Sequence, residues 1–157
     1  GGPNAFLTKS AFFEGTLSEQ AVSILINHLS QWPADSRLAE FKIFAFGGAY
    51  NAIAPDATAF VHRSADFVVE SCASWHPGDS QSIINASEDW LQELFVLLDP
   101  FFNGFAYNNF MDPTLENWEF AYHGTNLPRL VSVKNEFDPD DLFNFAQGIP
   151  TEIPAEP

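Results

Sequence analysis

A single carboxylate inside an apolar run is the first feature of this sequence with chemical potential. Glu70 sits in Phe67-Val68-Val69-Glu70-Ser71-Cys72. Burying an ionised carboxyl costs several kcal/mol unless it is paired or takes up a proton. Glu70 therefore either faces water, as a glutamate on an edge strand would, or performs a task, and the residues alone leave both readings open. The second feature is Tyr107-Asn108-Asn109. If Gly104 to Phe110 is a short strand, alternation projects Tyr107 and Asn109 from the same side, a phenol beside an amide. The same alternation gives Val68, Glu70, Cys72 and Ser74 a common face.

Other reactive side chains carry weaker patterns. His28, His62, His76 and His123 lie far apart with no metal-ligand spacing, and a single cysteine, Cys72, excludes both an internal disulfide and a cysteine-based zinc site. Cys72 reads as a small buried hydrophobe. His62 with Arg63 reads as structural, bracing the loop after Gly47-Gly48. Asp138, Asp140 and Asp141 lack the glycine and terminal glutamate of a calcium loop and read as a solvated turn next to a helix N-terminus. Asn85-Ala86-Ser87 has the form of a glycosylation acceptor but falls within an expected helix. Trp75, Trp90 and Trp118 read as core.

The chain has 157 residues, 46% hydrophobic, with 6 Lys+Arg against 21 Asp+Glu and a formal charge of −15. Its 17 Phe and 4 Trp supply bulk for a core, which excludes global disorder. Phosphate backbones and anionic lipid would repel so acidic a domain. The basic residues Lys9, Arg37, Lys42, Arg63, Arg129 and Lys134 are scattered, so neither nucleic acid nor a membrane surface is an expected partner. No stretch reaches the roughly 18 unbroken apolar residues of a membrane span, so the chain reads as soluble, with the compartment, cytoplasmic or secreted, left unassigned. The only methionine is Met111 and the sequence opens on Gly1, which leads us to expect further sequence upstream.

The elements that must position these groups are legible as periodicities. Ala5 to Phe13 reads as a strand. Thr16-Leu17-Ser18-Glu19 has capping-box form, and Val22, Leu25, Ile26 and Leu29 follow at helical spacing, which predicts a helix over about 17–31. Leu38 to Phe46 and Asp66 to Trp75 read as strands, Ser82 to Leu98 as the longest helix, and Gly104 to Phe110 as a strand. Helical turns follow around Trp118 and from Leu127 to Asn135. This order predicts an α+β fold in which an antiparallel β-sheet carries helices packed on one face.

Several spaced motifs together resemble the C-terminal, substrate-side part of the berberine-bridge-enzyme-like FAD-linked oxidases. They are Phe46-Gly47-Gly48-Ala49, Thr58-Ala59-Phe60-Val61-His62-Arg63 and Tyr107-Asn108-Asn109-Phe110-Met111-Asp112. The closing run Tyr122-His123-Gly124-Thr125-Asn126-Leu127-Pro128-Arg129-Leu130 is followed by Val133-Lys134, Phe137-Asp138-Pro139, Phe143, Gln147 and Ile149-Pro150. The resemblance runs over about residues 6–150. It departs from the family at Val68, where some plant members carry lysine, at Val61, Phe137, Asp141 and Gly148. The lysine difference bears most on substrate choice.

The resemblance implies that residues 1–112 are the second half of a substrate-binding domain, that 113–150 are a segment returning to the flavin domain, and that 151–157 are a flexible tail. FAD would be bound mainly by an upstream domain absent from this chain, making a flavin-binding domain or subunit its partner and the chain alone inactive. The implied activity is oxidation of an alcohol or sugar hydroxyl by hydride transfer to flavin, with O2 as electron acceptor. Tyr107 and Glu70 fall where the family has catalytic groups, Asn109 would hydrogen-bond the flavin edge or orient Tyr107, and Gln147 would sit near the cofactor in the closing segment. A phenol titrating near 10 is a poor base at neutrality, so Tyr107 would relay the proton or Glu70 would itself be the base. A reading of a different class is a non-catalytic binding module or partner subunit derived from that domain. The two differ in that a fragment should expose apolar surface.

Overall fold

The computed structural model describes residues 5–32 and 38–154. Three strands form one sheet: β1 (Ala5–Phe13), β2 (Leu38–Ala45) and β3 (Phe67–Trp75). Their order is β1-β3-β2 and both pairings are antiparallel. The outer edge of β2 pairs with no strand among the described residues. The expected strand bounds hold to within a residue.

The two faces of the sheet differ because alternate residues differ. One face presents Leu7, Ala11, Phe13, Val69 and Ala73, and against it pack α1 (Glu19–Leu29) and α2 (Gln81–Leu98) through Ala21, Leu25, Trp90, Leu91, Leu94 and Leu98. This is the predicted α+β arrangement with helices on one face. Ser18, rather than the expected Thr16, caps α1, its hydroxyl accepting from Ala21 N at 3.1 Å. The helices are tied to each other where His28 Nε2 meets the Trp90 carbonyl at 2.8 Å and Trp90 Nε1 donates to the His28 carbonyl at 3.2 Å.

The opposite face carries Thr8, Ser10, Phe12, Val68, Glu70, Cys72, Glu40 and Lys42 in register. Its Phe12–Val68 end is roofed by Phe46, Phe60, Phe105 and Tyr107. His62 belongs to this roof, stacked on Phe12 at 4.1 Å with Nε2 directed at the Tyr122 carbonyl, 3.1 Å away. The loop after Gly47-Gly48 is braced by its neighbour Arg63, which donates to the Tyr50 carbonyl and lies over the Tyr50 and Phe60 rings.

The expected strand from Gly104 to Phe110 does not form. This segment runs along the outer side of β1, exchanging backbone bonds where Phe12 N donates to Phe105 O and Asn103 N to Phe12 O, and it then turns, with Phe110 N donating to Tyr107 O. Gly104, at φ +83°, breaks the extended path. Beyond it lie α3 (Trp118–His123) and α4 (Leu127–Phe137), with short 3-10 turns at 99–101 and 124–126. Asn126 donates to the Pro55 and Thr58 carbonyls and Arg129 to that of Asp56, which fastens this C-terminal part to the 55–58 loop.

The aspartates follow the C-terminus of α4 rather than preceding a helix, and while Asp140 is exposed, Asp138 does not belong to a solvated turn. Asp138 is buried: its carboxylate accepts from Lys134 Nζ and from the Leu142 and Phe143 amides, and Lys134 also reaches Asp141 at 2.7 Å. The ammonium beside Asp138 holds its carboxyl below the usual range. Thr151 is tied back by Asn135, while the last three residues of the expected tail lie outside the described ones.

Burial pushes His62 down from 6.5 to about 4, because protonation would charge a ring whose Nδ1 has no partner among the described residues. The unfolded chain takes up a proton near pH 6.5 that the folded site refuses, so stability should fall between about pH 6.5 and 4, by no more than about 3 kcal/mol from this residue. His62→Phe in the complete protein should flatten that stretch of the Tm-against-pH curve. An unchanged slope would assign the acid response to another group.

Candidate active site

Glu70 is at the centre of the polar face, opposite Ser10 of β1 on one side and Lys42 of β2 on the other. It is only 8% exposed. The cost of that burial is offset by partners: one carboxylate oxygen accepts from Thr8 Oγ1 at 3.3 Å and the other lies 3.3 Å from Lys42 Nζ, which also holds Glu40 at 3.0 Å. Glu70 is thus not a glutamate on an open edge, because β3 is the central strand. Cys72, next along the same face, is half-buried, and burial together with the Glu70 charge pushes its thiol up.

Tyr107 reaches the same region by a different route. Its amide donates to Ser10 Oγ at 2.9 Å, which pins it beside the residue facing Glu70. Its ring stands edge-on to Phe12, Phe60 and Phe110, with centroids 5.3 to 6.1 Å away. Asn109 Nδ2 donates to the Tyr107 hydroxyl at 2.7 Å. Tyr107 and Asn109 therefore do act together, through a turn and a direct hydrogen bond rather than through strand alternation. The amide donates into the phenol oxygen, so the phenol hydrogen stays free to point elsewhere. Among the described residues no hydrogen bond joins Tyr107 to Glu70: the carboxylate is held by Thr8 and Lys42, the phenol by Asn109.

Gln147 lies in a separate knot. Its Oε1 accepts from Tyr122 Oη at 3.3 Å and its Nε2 donates to the Asp112 carbonyl at 2.7 Å, while Tyr122 Oη accepts from Asp112 N at 2.9 Å. The Asp112 carboxylate in turn takes Lys9 Nζ at 2.6 Å and the Thr114 amide and hydroxyl at 2.8 and 2.7 Å. Lys9 and Asp112 are both buried. Sequence reading treated Lys9 as one of several scattered cations. The available signal was its place inside the apolar run Ala5–Phe13, since a lysine there needs a carboxylate brought to it. This knot anchors both ends of the segment following Tyr107 and Asn109.

The described residues fit part of a flavin only. Among the described residues no cluster of free cations converges on a phosphate-sized site, since Lys9 and Lys134 are buried in ion pairs and Arg63 and Arg129 spend donors on the Tyr50 and Asp56 carbonyls. The aromatic wall around Tyr107, with the Asn109 amide at its rim, can face a planar polar ring.

Residues 106–150 match the family described as "Berberine and berberine like". Over 149 residues the chain is 34% identical to the FAD-linked oxidoreductase YgaK of Bacillus subtilis, a match that covers 94% of this chain and 32% of that protein. It is 26% identical to the hexose oxidase of Chondrus crispus, covering 92% of this chain and 31% of the relative. The structure superposes on berberine bridge enzyme from Eschscholzia californica with a TM-score of 0.83 at 27% identity, over 94% of this chain and 33% of that one. The chain is therefore similar to the berberine-bridge-enzyme-like part of FAD-linked oxidoreductases, and it spans about a third of the length of the curated relatives it matches.

Proposed function

We propose that this chain is the substrate-side portion of an oxidoreductase that converts an alcohol or sugar hydroxyl to a carbonyl. The observation that carries the reading is Glu70, a buried carboxylate on the face away from the helices in contact with Thr8 and Lys42, with Tyr107, whose oxygen accepts from Asn109, tied by its amide to Ser10 in the register position opposite Glu70. FAD, held mainly by sequence outside this chain, would accept the hydride from the carbinol carbon, with O2 as the later electron acceptor. Glu70 would take the hydroxyl proton at a carboxylate oxygen, directly or through Tyr107 Oη, so the substrate loses one proton and one hydride and becomes the carbonyl. The phenyl rings around Tyr107 would exclude water from that transfer. Asn109 would bond the edge of the flavin ring. Gln147, with its amide engaged by Tyr122 and Asp112, would act by holding the segment that presents Tyr107 and Asn109.

Exposed apolar surface supports a portion of a larger enzyme over a free-standing module. Phe6, Phe137, Leu142 and Phe143 are 64 to 80% exposed. In this reading residues 1–112 belong to the substrate domain and 113–150 form the returning segment, with the bonds among Asp112, Tyr122 and Gln147 holding the two together. The test is anaerobic mixing of the complete, yellow protein with a panel of sugars and primary alcohols. Bleaching of the flavin absorbance by at least one of them is the expected result. A complete protein that binds no flavin, or whose flavin none of these hydroxyl compounds reduces, would overturn the reading.

A further inference from the structure

Lys42 exchanges no proton in the chemistry outlined above, yet among the described residues it is the cation in contact with the proposed base. It projects from β2 onto the polar face with Nζ 3.3 Å from Glu70 Oε2 and 3.0 Å from Glu40 Oε2. Two carboxylates flank one ammonium, and they raise its affinity for a proton, the Glu40 hydrogen bond most of all. Its side chain is 42% exposed, whereas that of Glu70 is 10% exposed. The charged end therefore lies where the face opens to solvent, and the carboxylate lies behind it.

The other groups around Glu70 do not duplicate this contact. From β1, Thr8 donates a hydroxyl to Oε1 and Ser10 spends its oxygen on the Tyr107 amide. From β3 itself, Cys72 is an uncharged thiol at neutral pH. From β2, Glu40 is a like charge, and from the loop beside β1 the Tyr107 phenol is engaged by Asn109. Lys9, one residue from Ser10, is turned to Asp112. Lys42 is thus the single positive charge against the Glu70 carboxylate among the described residues. With Thr8 at one oxygen and Lys42 at the other, the carboxylate plane is fixed at both ends.

We infer that Lys42 is a positioning residue for this reaction, holding the Glu70 carboxylate in the orientation from which it receives the substrate proton, and that Glu40 holds Lys42 in turn. The inference rests on the reading of Glu70 as the base. Misplacing a reacting group by about 1 Å costs up to about 10²-fold in rate. Lys42→Met should therefore lower the limiting rate of substrate-driven flavin reduction about tenfold. Substrate affinity and Tm should change little, because the Lys42 head group is partly solvated.

The experiment is a double-substitution cycle in the complete flavoprotein, read by anaerobic stopped-flow reduction with whichever hydroxyl substrate bleaches the parent enzyme. Lys42→Met, Lys42→Arg, Glu70→Gln and Lys42→Met/Glu70→Gln are compared. The expected pattern is a lower rate for Lys42→Met, substantial recovery in Lys42→Arg, and no further loss when Lys42→Met is added to Glu70→Gln, since a residue that acts through Glu70 has nothing left to act on. A Lys42→Met enzyme at the parent rate, or one whose loss persists in full on the Glu70→Gln background, would overturn the inference while leaving Glu70 in place. A Glu70→Gln enzyme at the parent rate would overturn the reading of Glu70 itself.

Discussion

Glu70→Gln and Tyr107→Phe are each expected to slow substrate-driven flavin reduction in the complete enzyme by about 10²- to 10⁴-fold, the usual contribution of a positioned proton acceptor or relay. Both substitutions keep the shape of the side chain. Glutamine can still accept from Thr8, and phenylalanine keeps the edge-on contacts with Phe12, Phe60 and Phe110. Flavin content and Tm should accordingly stay near the parent values, so that the loss falls on the chemical step. The two effects should also be unequal in a telling way. If Glu70 takes the proton directly, Tyr107→Phe costs less than Glu70→Gln; if the phenol relays it, the two losses converge and the doubly substituted enzyme is no slower than either. Parent rates in both variants would remove these residues from the mechanism.

Asp112→Ala should be the most damaging single change to stability, at about 3–5 kcal/mol, because it leaves the Lys9 ammonium buried and unpaired and also strips Thr114 of its acceptor. The expected observation in the complete protein is a large fall in Tm or the loss of folded material. Removing both charges is milder. Lys9→Met/Asp112→Asn eliminates the stranded ammonium and keeps an oxygen for the Thr114 amide, so it should recover a good part of the loss. Equal destabilisation by the single and double variants would mean that the stranded Lys9 ammonium does not carry the effect.

The elements were readable where one periodicity dominated. Ala5–Phe13, Phe67–Trp75 and the helix through Trp90, Leu91, Leu94 and Leu98 match their patterns because a single buried face dictates each of them. Gly104 to Phe110 misled, since its apolar content comes from roofing the sheet, as Phe105 and Tyr107 do, and not from lying in it. The site was partly legible for the same reason. Glu70 stood out as a charge in an apolar run, and Tyr107 with Asn109 as a close polar pair. Their mutual placement was not, because it depends on Ser10, a residue with no signal of its own, whose hydroxyl ties the Tyr107 amide to the strand facing Glu70. Long-range bonds from small hydroxyls leave no spacing in the sequence. The Asp138 carboxylate is a further instance: its run of acidic neighbours suggested solvent, and only the Lys134 chain one helical turn earlier explains its burial.

The outer side of β2 has a consequence for anyone producing this stretch by itself. Leu38–Ala45 offers a row of backbone amides and carbonyls with no strand against it among the described residues, and carries Phe41, Ile43 and Phe44 without a proline to interrupt it. A flat row of this kind is a template for another copy of the same row, and the usual protections are charged gatekeepers, of which this strand has two, Glu40 and Lys42. Those two neutralise each other. Solubility of the isolated stretch should therefore depend on ionic strength and on expression temperature more than its overall charge of −15 would suggest. A single added charge at Ile43 should do more to prevent fibrillar deposits than several added elsewhere on the surface.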